Sequence, residues 1–141
     1  MRWVRWFGAG ALAVPLFHQV LLLILNAIGW VDRRPFTLSP TEPFGIPQVV
    51  SLSFWGGVWG IVLGFVLARI HERAKYWAVA LIFGAVAPTL VAIAVVAPLK
   101  GQPVVLDPKM ILIGLLVNGA WGIGTAALYT AIGREPSPRA R

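Results

Sequence analysis

The chain has 141 residues, 58% hydrophobic and 12% charged, with 12 Lys+Arg against 5 Asp+Glu, a formal net charge of +7 and no cysteine. A soluble domain carries about 45–50% apolar and about 25% charged residues, so charge this sparse cannot solvate a globule and the composition points to a membrane protein. The absence of cysteine excludes disulfides, thiol nucleophiles, iron–sulfur clusters and thiolate zinc sites.

A span needs about 20 apolar residues to cross about 30 Å of hydrocarbon. The first candidate covers residues 7–29, behind a positive flank made by Arg2 and Arg5. Its apolar run exceeds the 7–15 residues of a signal-peptide core, so an uncleaved first span is expected. Within it Gly8, Leu12, Pro15, Gln19, Leu22, Asn26 and Gly29 step by fours and threes. That spacing predicts one shared helix face. Pro15 deprives the Ala11 carbonyl of its donor and predicts a kink.

Residues 31–46 hold Asp32, Arg33, Arg34 and Pro35, then Pro40 and Pro43, which reads as a stiff extended loop. Its role is either a connector or a surface on which a partner docks. The second span covers 47–68 and repeats small residues every four positions: Gly56, Gly60, Gly64 and Ala68. A short basic loop follows, with Arg69, Arg73 and Lys75 around His71 and Glu72. The third span covers 77–98, with Ala80, Gly84, Pro88 and Ala92 in register. The fourth covers 110–132, with Gly114, Asn118, Gly122, Ala126 and Thr130. The polar, proline-rich tail 133–141 is expected to be disordered.

The spans carry no Asp, Glu, Lys or Arg in their interiors and lack the alternation of a barrel wall. Backbone groups in lipid must be satisfied internally, so each run should be helical. The expected fold is therefore all-α: an integral membrane four-helix bundle forming one transmembrane domain over residues 1–132. Four crossings put both termini on one side, with eight cations there against four on the other. The excess predicts cytoplasmic termini, and Trp3, Trp6, Tyr76, Trp77 and Trp30 stand where interfacial aromatics should. A basic surplus arranged this way reflects membrane orientation, and nucleic-acid binding is not expected.

The small-residue seams predict close helix packing, because apolarity does not drive helices together in lipid. Gly56, Gly60, Gly64, Gly114 and Gly122 are the residues expected to carry it, within one chain or between chains. An internal echo accompanies them. Gly57-Val58-Trp59-Gly60-Ile61 matches Gly119-Ala120-Trp121-Gly122-Ile123, and Phe7-Gly8-Ala9 with Pro15 matches Phe83-Gly84-Ala85 with Pro88. Two parallel helical hairpins would leave such a trace, and so would compositional bias alone.

His18, Gln19, Thr89 and Asn118 lie near the centres of their spans and could line a midplane polar site. The competing reading is that amides and hydroxyls tie helices together. A lone histidine without a carboxylate in any span makes a poor proton relay and a poor metal site. The acids, Asp32, Glu42, Glu72, Asp107 and Glu135, all lie outside the spans. Neither an enzyme, a metal site nor a cofactor is expected.

Phe17-His18-Gln19, Pro43-Phe44-Gly45-Ile46-Pro47, Ser53-Phe54-Trp55-Gly56-Gly57 and Asn118-Gly119-Ala120-Trp121-Gly122 together resemble small four-span bacterial inner-membrane proteins of no assigned activity. The resemblance implies an inner-membrane placement. The expected function is a non-catalytic accessory or assembly subunit, whose partners are the lipid bilayer and other membrane subunits or further copies of itself. The alternative is a small transporter or channel subunit using the midplane polar residues.

Overall fold

Local chemistry sets three of the helix ends. Asp107 precedes the last span, and its carboxylate accepts the Lys109 N–H at 2.9 Å, with Pro108 in the first helical position where no N–H is needed. Gly29 and Gly101 follow the first and third spans at φ +74° and +67°. Each closes its helix by the same pair of bonds: Trp30 N–H to the Leu25 carbonyl with Gly29 N–H to Asn26, and Gln102 N–H to Ala97 with Gly101 N–H to Pro98. This left-handed closure is favourable for glycine and satisfies carbonyls that would otherwise be orphaned.

The computed structural model describes residues 1–133. Among these, four helices are long and apolar enough to cross a membrane: α1 (Arg2–Ala27), α2 (Gln48–Leu67), α3 (Arg73–Leu99) and α4 (Pro108–Ile132). Gly133 caps α4, and the tail from Arg134 on lies outside the described residues. α1 and α3 begin earlier than the apolar runs suggested, because helical hydrogen bonding continues through their polar flanks. Between α1 and α2 a short antiparallel ladder pairs β1 (Pro40–Thr41) with β2 (Ile46–Pro47).

Two of the helices are not uniformly α. Val14–His18 in α1 and Ala92–Val96 in α3 form π-helical turns, close after or around Pro15 and Pro88. The turn in α1 overturns its expected face. A π turn takes an extra residue, so the buried stripe does not run straight. It passes through Trp6, Ala9, Gly10, Ala13 and Val14, then resumes five positions on at Gln19, Leu22 and Leu25. Leu12, on the predicted line, is 50% exposed, and among the described residues nothing stands within 4 Å of a Cβ placed on Gly8.

Packing follows the hairpins. α1 lies against α2 and α3 against α4 most extensively, the two hairpins join mainly through α1 and α4, and α2 meets α3 only sparsely. Small residues make the tight contacts in two ways. In the first, backbone meets backbone. A Cβ on Gly60 would stand 2.6 Å from the Trp6 carbonyl oxygen and 3.0 Å from the Gly10 Cα, and one on Gly10 would collide with the Gly56 carbonyl. The second hairpin repeats this with Gly84, whose Cβ would lie 2.6 Å from the Gly122 Cα, while one on Gly122 would collide with the Ala80 carbonyl. In the second way, a glycine makes a socket for a ring: Gly57 for Phe7, Gly64 for Trp6 and Gly124 for Phe17. Gly114 is looser, its Cβ position being 3.1 Å from the Thr89 methyl.

One core cluster gathers Trp6, Val14, Leu63, Leu67 and Trp121 toward the end where α1 starts and α4 stops. A second gathers Leu22, Leu25, Ile113 and Val117 at the opposite end, covered by Val31 from the loop.

Candidate functional site

His18, Gln19, Thr89 and Asn118 are not joined into one hydrogen-bonded site. They form two separate pairs. His18 closes the π turn of α1, and Gln19, 3% exposed, follows it. The Gln19 amide nitrogen lies 3.3 Å from His18 Nδ1, a bond that requires the imidazole proton on Nε2. Thr89 of α3, 4% exposed, accepts from Asn118 Nδ2 of α4 at 2.9 Å. Among the described residues no hydrogen bond links one pair to the other.

The Gln19 side chain has a second partner that the sequence did not announce. Its Oε1 accepts the backbone N–H of Phe36 at 2.7 Å. Gln19 lies eight residues before the end of α1 at Ala27, so the loop reaches about 12 Å down alongside the helix at about 1.5 Å per residue. Irregular backbone at that depth is tolerable only when protein groups satisfy it. Gln19 does this for Phe36, which adopts φ +51°. Higher up, Asn26 Nδ2 donates to the Val31 carbonyl at 2.8 Å. On the far side the Ser39 and Thr37 carbonyls accept from Gln48 and Val49, the exposed donors at the start of α2. The loop expected to be merely stiff is therefore tied down at three places.

A further polar contact joins the hairpins. Trp121 of α4 is 3% exposed and donates its indole N–H to the Gly10 carbonyl of α1 at 2.9 Å. Only the tryptophan in the internal echo hinted at it. Among the described residues no cluster of three His, Cys, Asp or Glu side chains could hold a metal ion.

No known protein family, curated protein or solved structure matches the chain. The site must be read from its own geometry. That geometry favours ties within the chain over a pocket, because Gln19, Asn26, Thr89, Asn118, Trp121 and Thr125 each make a side-chain hydrogen bond inside it. For Asn118 and Thr89 the expectation is quantitative. A double-mutant cycle with Asn118→Leu and Thr89→Val, read by unfolding in mixed micelles, should give a coupling of about 0.6–1.7 kcal/mol. A coupling of zero would mean that the bond does not hold α3 to α4.

Proposed function

We propose that the chain is a non-catalytic multi-pass protein of the bacterial inner membrane, with both termini in the cytoplasm, acting as an accessory or assembly subunit of a larger membrane complex. One observation carries this reading. The small-residue seams and the buried polar residues Gln19, Thr89 and Thr125 are used within the chain, while among the described residues α3 keeps an uncovered apolar face. Of its most apolar stretch only 17% is buried, against 44% for α4. That face holds a groove formed by Val79, Ile82, Phe83, Val86 and Ala87, a shape into which large side chains of another helix fit. The excess of cations on the side of the termini supports the orientation. A transporter reading loses its main support once His18 and Gln19 pair separately from Thr89 and Asn118.

The test places a photocrosslinking amino acid at Ile82 or Val86 in the full chain, in its native membrane. A discrete adduct of one partner polypeptide is expected, together with a species above monomer size on blue-native electrophoresis. Adducts to lipid alone, with the chain running only as a monomer, would refute the accessory role.

A further inference from the structure

The four helices converge on a cavity of about 170 Å³ at the end of the bundle where α1 begins and α4 stops. Its walls come from Arg2 and Trp6 of α1, Leu67 at the end of α2, Tyr76 near the start of α3 and Tyr129 in the last turn of α4. Arg5 and Trp6 follow Arg2 by three and four positions, so these three side chains share one helix face. The Tyr129 ring stacks on the Trp6 indole, with centroids 3.6 Å apart and planes at 8°. The Arg5 guanidinium carbon stands 5.0 Å from the centre of the Tyr129 ring. Its Nε is buried and has no hydrogen-bond partner among the described residues.

The charges around the cavity are unbalanced. Among the described residues the ion pair is Lys75 with Glu72, on the surface, and neither Arg2 nor Arg5 meets a carboxylate. A buried donor left unmade costs free energy, and a guanidinium offers a planar fork of donors that matches phosphoryl oxygens. Two tyrosines and a tryptophan at the end of an apolar bundle sit at the level of lipid headgroups. From this arrangement we infer that the cavity is a binding site for a phosphoryl anion. Arg2 supplies charge from the lining, Arg5 adds charge from behind the Tyr129 ring, Tyr76 and Tyr129 supply hydroxyl donors, and Trp6 forms the wall. Either an anionic phospholipid headgroup or free phosphate would bring that chemistry.

The experiment titrates the full chain in neutral detergent with dioctanoyl phosphatidylglycerol, dioctanoyl phosphatidylcholine or sodium phosphate, reading occupancy by native mass spectrometry and the thermal midpoint in parallel. One phosphatidylglycerol should bind per chain, about tenfold more tightly than phosphatidylcholine. Arg2→Gln with Arg5→Gln should weaken it about tenfold, while Arg73→Gln with Lys75→Gln, equal in charge but outside the cavity, should change it less than about twofold. Should the first pair fail to fold, Tyr76→Phe with Tyr129→Phe keeps the rings and should still weaken binding about threefold. Phosphate that displaces the lipid and raises the midpoint identifies the free anion as ligand; phosphate without effect identifies the headgroup. Equal binding of the two lipids, equal loss in the two charge variants, or no loss in the tyrosine variant would overturn the site.

Discussion

Gly122→Ala and Gly10→Ala are each expected to destabilise the bundle by about 3 kcal/mol, the upper end of what overpacking costs. The reason is what the new methyl group would meet. At Gly122 it would strike the Ala80 carbonyl and come within 2.9 Å of the Gly84 Cα; at Gly10 it would strike the Gly56 carbonyl. Both obstacles are backbone, which cannot rotate aside as a side chain can, so the helices must separate along the seam. Separation also forfeits the dispersion contacts that hold apolar helices together in lipid. Gly8→Ala is the control, because it too changes a glycine in α1 but the new carbon meets nothing within 4 Å among the described residues. It should be neutral or stabilising by up to about 1 kcal/mol, through helix propensity. Unfolding in mixed micelles, followed by circular dichroism, measures all three. A Gly122→Ala protein as stable as the parent would mean that α3 and α4 do not touch there.

What could be read from the chain alone divides along a physical line. The spans were legible because an uncharged apolar run of such length has few other uses, and the helices fall where those runs lie. The glycines of α2 and α4 were legible because spacing by four survives in a straight helix. The α1 partner of the α2 glycines was not, since the π turn at Val14–His18 adds a residue and shifts the face. Extrapolating back from Gln19 and Leu22 leads to Gly8 and Leu12, which are open, and misses Gly10, which is the contact. The same shift affects the echo. By packing, Gly10 corresponds to Gly84, two residues from the match drawn through Phe7-Gly8-Ala9, whereas Gly60 and Gly122 correspond as the echo implied. The depth of the polar residues could be estimated from their position along each span, but not the direction each faces. That is why one site was expected where two pairs exist. The Phe36–Gln19 bond was unreadable for a different reason: a loop's path depends on what the bundle leaves unsatisfied.

Trp121→Ala should cost about 3–5 kcal/mol and Trp121→Phe about 2 kcal/mol, while Trp59→Phe should cost less than about 1 kcal/mol. The two tryptophans hold matching places in the internal echo, so symmetric hairpins would give them matching roles. They do not have them. Trp121 is buried and reaches across from α4 to donate to the Gly10 carbonyl of α1 at 2.9 Å, beside Gly56, where the backbones of α1 and α2 touch. Its removal opens the junction of three helices and deletes a buried hydrogen bond. Were the arrangement symmetric, Trp59 of α2 would reach the Gly84 carbonyl of α3. Instead it meets Phe83 edge-on, with centroids 6.0 Å apart, and is only partly buried. The paired hairpins are thus closed on the α1–α4 side and loose on the α2–α3 side. Unequal costs at Trp121 and Trp59, measured in the same micelle titration, would establish that asymmetry, and equal costs would remove it. The loose side adjoins the α3 groove through their shared Phe83. A helix from a partner could therefore enter there against side chains, without prising apart the glycine seams that hold each hairpin.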